Sequence, residues 1–233
     1  MDDAAFRVHL RRWGAYGLYL AGGVNLAAIL VMGLVLRGAL LGDVPARLAY
    51  IVAHRGAVEL SWAVWMGATL SLLLSLVILA PVLDPRGRHL LRFALVVAVV
   101  GAASDIGSDL MNMTAIPALA AEYLAGNAAL HPVILLDYRV WNGVIRGLTG
   151  GVGNTSYVLA GFMYVYVMFR TAEVPRWLVG WGAMVWSATA LASISLIWAP
   201  RFLPPTVAAT IILYALWVWG LGWFCLWRQP REQ

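Results

Sequence analysis

The stretch Gly101-Ala-Ala-Ser-Asp-Ile-Gly-Ser-Asp-Leu-Met-Asn-Met113 closes an apolar run that begins at Leu91. The whole run, 91–115, has the length of a helix that crosses a hydrocarbon core of ~30 Å, which takes about 20 apolar residues. Its second half carries Asp105, Asp109 and Asn112 at i, i+4 and i+7, on one helical face. Ser104 and Ser108 flank the same stripe. At ~1.5 Å per residue, Asp105 stands about 20 Å beyond Arg92, roughly two-thirds of the way across the core. Carboxylates at that depth are costly and mark sites. The rest of the chain is therefore read as the housing of this stretch.

Five further runs have spanning length: 14–36, 57–82, 148–169, 176–199 and 204–227. The chain has 233 residues, 62% hydrophobic and 12% charged, with mean hydropathy +0.81. Soluble domains are about 45–50% apolar and about 25% charged. The fold class is thus an all-α membrane bundle of six transmembrane helices, a single domain over 1–233, with the lipid bilayer as its first partner. The run at 14–36 is too long for the apolar core of a signal peptide and no small-residue cleavage site follows it, so it reads as a retained span.

Arginine sets the topology. With the N-terminus cytoplasmic, the inner segments hold Arg7, Arg11, Arg12, Arg86, Arg88, Arg92, Arg170, Arg176, Arg228 and Arg231; the outer ones hold Arg37, Arg47, Arg55, Arg139, Arg146 and Arg201. That asymmetry places both termini inside, in a cell (inner) membrane. The links Asp84-Pro-Arg-Gly-Arg-His89 and Arg170-Thr-Ala-Glu-Val-Pro-Arg176 are short and basic, as cytoplasmic turns are. Trp13, Trp177 and Trp227 mark the inner interface, with Trp141 and Trp198 at the outer one. Residues 45–55 have helical apolar spacing and are expected on the outer surface. Residues 116–147, with Ile134, Tyr138, Trp141 and Ile145 in register, are expected to form an interfacial helix or cap. Gly147, Gly150, Gly151 and Gly153 then allow close packing or a hinge.

Several chemistries are excluded. All 16 basic residues are Arg, so no lysine Schiff base and no phosphate-loop lysine exist. Scattered between apolar runs, these arginines do not form a nucleic-acid surface. Cys225 is alone, so it makes no internal disulfide and no metal cluster. His9, His54, His89 and His131 fall in loops or at span ends, which disfavours bis-histidine haem. No cofactor and no metal site is expected; His54 beside Glu59 is the nearest approach to one.

The candidate ligand-binding set is Glu59, Asp105, Asp109, Asn112, Asn154 and Arg146, with Trp62, Trp65 and Ser108 as lining. Glu59, Asp105 and Asp109 together repel unless protonated, paired with Arg or bridged by a cation; Arg146 is placed as a counter-ion. The alternative is that each acid is satisfied separately. Asp105-x-x-x-Asp109 superficially resembles the acidic pairs of membrane prenyltransferases and alcohol-phosphate transferases, without the longer motifs around them.

The leading functional reading is the binding, or binding and moving, of a small cation or lipophilic molecule at an outward-facing acidic intramembrane pocket. The second is an intramembrane enzyme on a lipid or isoprenoid with a buried carboxyl as general acid. The third is an accessory subunit that turns its acidic stripe to a membrane-protein partner or a second copy. Against full transport, the inner halves of the spans carry few acids or amides beyond Asn25.

The segment Gly161-Phe-Met-Tyr-Val-Tyr-Val-Met-Phe-Arg-Thr-Ala-Glu-Val-Pro-Arg-Trp-Leu-Val-Gly-Trp181 resembles a pattern of six-span bacterial integral membrane proteins of unknown function. There an apolar helix ends in a basic turn and Pro-Arg-Trp-Leu-x-Gly opens the next. The resemblance covers about a third of the chain. It implies six spans and a prokaryotic source and brings no activity with it. The turn also has a plain cause: Pro175 suits a helix start, and Arg176-Trp177 anchors an interface.

Overall fold

The computed structural model describes residues 3–83, 85–198 and 203–227. Asp84, Arg201, Arg228 and Arg231, used above for turns and topology, lie outside the described residues, as do the side chains of Arg7, His9, Arg11 and Trp198.

Among the described residues the chain is helical, with no strand. The helices are α1 (Asp3–Val31), α2 (Arg37–Leu40), α3 (Val44–Ala53), α4 (Arg55–Leu79), α5 (Arg88–Met113), α6 (Ala115–Ala125), α7 (His131–Arg146), α8 (Asn154–Arg170), α9 (Arg176–Trp198) and α10 (Leu203–Trp227). Six helical stretches are long and apolar enough to cross a membrane: Arg12–Leu40, Arg55–Leu79, Arg88–Ala125, Ala128–Arg170, Arg176–Leu196 and Thr206–Trp227. The protein is a multi-pass helical bundle.

Consecutive spans pack as neighbours, and α10 closes the ring on α1. Without a hydrophobic driving force in lipid, such contacts rely on small residues that let helices approach. Gly161 lies directly under the Trp186 ring, and Gly22 under that of Trp219. Two indole N–H groups are satisfied across helices: Trp217 Nε1 donates to Leu178 O at 2.9 Å, and Trp219 Nε1 to Tyr19 O at 3.0 Å, whereas those of Trp181 and Trp186 are buried without a partner. Trp186, Tyr214 and Trp217 meet edge-on or tilted, with centroids 6.1–6.2 Å apart. Tyr164 donates to Leu76 O at 2.8 Å. These four aromatic side chains are buried and fill the ring toward its turn end, where Arg88, Arg170 and Arg176 stand.

The opposite end carries a cap. Arg88–Ala125 has 38 residues and Ala128–Arg170 has 43, or about 57 and 65 Å at ~1.5 Å per residue, against a core of ~30 Å. The surplus of the first is α6, set off by a bend at Thr114 (φ −120°, ψ −66°). The surplus of the second is α7. With α3, which Gly42 (φ +100°) and Pro45 start, they enclose a small second core of Leu36, Leu48, Ile51, Val58, Ile116, Ala120 and Tyr138.

Residues 116–147 thus form two helices, and α7 is no separate surface helix. It runs on into α8 through Gly147–Gly153, a π-helical segment. A π turn takes in an extra residue per turn and is often found at functional sites. The glycines widen the helix here without breaking it.

Candidate functional site

α5 and the chain from Thr149 to Tyr157 run antiparallel in a tight register. A Cβ on Gly101 would lie 2.9 Å from the Tyr157 ring and 3.0 Å from Gly153 O. A Cβ on Gly153 would lie 2.5 Å from Asp105 Oδ1. One turn on, Ser108 Oγ and Thr149 Oγ1 are 2.6 Å apart. Position numbers climb on α5 as they fall on its partner, which places Asp105 against the bare backbone of Gly153. Only glycine leaves room for that carboxyl.

Asp105 and Asp109 are 7% and 2% exposed, so the stripe predicted from spacing faces the interior of the bundle. Oδ1 of Asp105 and Oδ2 of Asp109 complete no hydrogen bond. The hydroxyls of Tyr157 and Thr149 stand beside the Asp105 carboxyl, and Thr69 of α4 beside Tyr157. The Tyr157 hydroxyl itself also lacks a completed hydrogen bond. Among the described residues no basic side chain pairs with either acid. Two carboxyls without a basic partner thus share one buried face, with the hydroxyls of Thr149 and Tyr157 beside Asp105.

The other candidate residues are distributed around this pair. Ser108 belongs to it: its Oγ donates to Asp105 O at 2.8 Å. Asn112, the next turn up, donates from Nδ2 to Ser108 O and lines a small cavity under the cap. Trp62 lines that same cavity. Trp65 is half-buried on α4, and Asn154 is half-buried as the first residue of α8. Glu59 stands outside the pair, its Oε1 2.7 Å from Arg55 Nε near the start of α4. Arg146 is exposed at the end of α7, where its charge acts on Arg47 of α3. Tyr157, Thr149 and Thr69 joined the acids unforeseen; a hydroxyl inside an apolar run carries little signal until the register of its helix is known. Among the described residues no three His, Cys, Asp or Glu side chains gather as for a metal ion.

A family model, Domain of unknown function (DUF4386), matches residues 18–228. The chain belongs to this family. No curated protein and no solved structure matches it. The DUF4386 match takes in the first span from Leu18, the other five spans, the cap and both acids, so the buried pair lies within the family domain.

Proposed function

We propose that this multi-pass membrane protein binds a small cation at Asp105 and Asp109. The observation that carries the reading is the pair itself: two buried carboxyls on one face, each with an unpartnered oxygen and no basic side chain opposite. Removing unpaired charges from water costs several kcal/mol per ion, and a bound cation offsets that cost. The surrounding side-chain donors are all oxygen: Thr149 Oγ1 and the Tyr157 hydroxyl beside Asp105, with Ser108 Oγ 2.6 Å from Thr149 Oγ1. Hard oxygen ligands suit Na⁺, Mg²⁺ or Ca²⁺ better than zinc. Burial of the stripe against α8 favours this reading over a subunit that turns its acids outward.

The aromatic filling of the turn end supports binding over passage through the bundle. The arginine asymmetry supports a cap on the extracytoplasmic side of a bacterial inner membrane, with both termini cytoplasmic.

The test is thermal unfolding of the purified protein in detergent, titrated with NaCl, MgCl₂ or CaCl₂ at constant ionic strength. A specific cation at a hundred times its Kd stabilises by about 2.7 kcal/mol. A saturable rise in Tm is expected for one cation, abolished in Asp105→Asn and in Asp109→Asn. A wild-type protein indifferent to every cation, or an Asp105→Asn variant that responds in full, would overturn the proposal.

A further inference from the structure

A second polar site lies beneath the cap, one to two turns above the acids. Arg47 of α3 donates from Nε to Ala39 O at 2.9 Å and stacks over the Tyr138 ring, 5.4 Å from its centroid. Its two terminal nitrogens have no hydrogen bond among the described residues. Arg146 adds a second positive charge nearby, and no acid pairs with either guanidinium among the described residues. Burial draws the Arg47 pKa below its ordinary value; Arg146 acts the same way, and Tyr138 opposes them. Tyr138 is 2% exposed and its hydroxyl has no partner. Both residues line a cavity of about 10 Å³ shared with Trp62, Asn112 and Asn142. Each of the two asparagines spends one of its two amide N–H groups, Asn112 on Ser108 O and Asn142 on Tyr138 O. The unspent donors are therefore the Arg47 fork and the Tyr138 hydroxyl, with one amide N–H left on each asparagine.

Donors, two positive charges and no acid describe a site for an oxyanion. The volume admits one oxygen-sized group, so the rest of the anion stays outside. The height is that of a headgroup: Asn112 stands about 30 Å above Arg92 along α5, the thickness of the hydrocarbon core. Arg binds phosphate through paired N–H groups better than any other side chain.

We propose that Arg47 and Tyr138 hold one oxygen of a phosphate group, that of an anionic bilayer lipid or of free phosphate. This site is separate from the acid pair and stands whether or not that pair binds a cation. The arms of the test separate the two sources. Native mass spectrometry of the full chain from detergent is run with phosphatidylglycerol, and with diacylglycerol of the same acyl chains, which lacks the phosphate. Thermal unfolding is followed in parallel with inorganic phosphate against sodium chloride. Retention of phosphatidylglycerol over diacylglycerol is expected, weakened about tenfold by Arg47→Gln, the scale of one charge-assisted hydrogen bond. Tyr138→Phe, which keeps the ring and its stacking, is expected to weaken it as well, and Glu59→Gln to leave it unchanged. Should Arg47→Gln fail to fold, Tyr138→Phe decides. A phosphate-specific rise in Tm, lost in the same variants and without lipid retention, assigns the site to free phosphate. Equal retention of both lipids with no phosphate response identifies a site for water alone and overturns the proposal. So does retention that neither variant changes.

Discussion

Gly153→Ala puts the packing of the acid pair to a direct test. The added Cβ lies 2.5 Å from Asp105 Oδ1, 3.1 Å from its Cγ and 3.2 Å from Leu148 O. The first of these is far inside van der Waals contact, so either the carboxyl swings away or α5 and α8 part. Overpacking of this kind costs about 1–3 kcal/mol. Gly151→Ala is the internal control. It lies in the same π segment with nothing within 4 Å of its Cβ, and should gain up to about 1 kcal/mol from reduced backbone entropy. By a few °C per kcal/mol, the two variants should differ by several °C in detergent-solubilised Tm. Asp105→Ser in the Gly153→Ala background removes the clashing oxygen and should recover part of the loss, a coupling of about 1 kcal/mol. Equal Tm values for Gly153→Ala and Gly151→Ala would refute the packed carboxyl and the register with it.

Two further outcomes follow from the polar contacts. Glu59→Gln removes an i,i+4 pair whose side chains are 63% and 32% exposed; its Tm should stay within what ~0.5 kcal/mol allows. Asn25→Ala breaks the 2.8 Å bond from Nδ2 to Ser71 Oγ between α1 and α4. Ser71 keeps its own bond to Ala68 O, so a loss near ~0.6 kcal/mol is expected, the low end for interhelical bonds in membranes. A shift of several kcal/mol would show that Ser71 is not satisfied alone.

The six spans and the shared face of Asp105 and Asp109 were legible because length and helical period are local properties. The Arg55–Glu59 pair is equally local, an i,i+4 spacing on one helix; depth alone groups Glu59 with the acids, and its spacing to Arg55 takes it out of that group. What could not be read is what depends on pairing between distant segments. Tyr157 meets Asp105 only through the antiparallel register of α5 and α8. Arg146 acts on Arg47, which the cap brings to it from a distant helix. The glycine spacing at 147–153 predicts close packing or a hinge, and Gly150 and Gly153 do pack closely. That the helix continues through them as a π turn follows from neighbours on both sides, which no local pattern encodes.

The closing of the ring also imposes an order on its making. The bond from Trp219 Nε1 to Tyr19 O joins residues 200 positions apart. At ~5–20 residues per second of synthesis, the first helix waits about 10–40 s in the bilayer before its partner leaves the ribosome. Until then the face of α1 that carries Gly22 stays open to lipid or to a chaperone. A chain stopped before Gly220 would lose the contact that completes the bundle, so nascent-chain crosslinking from residue 22 should change partner only when the last helix emerges.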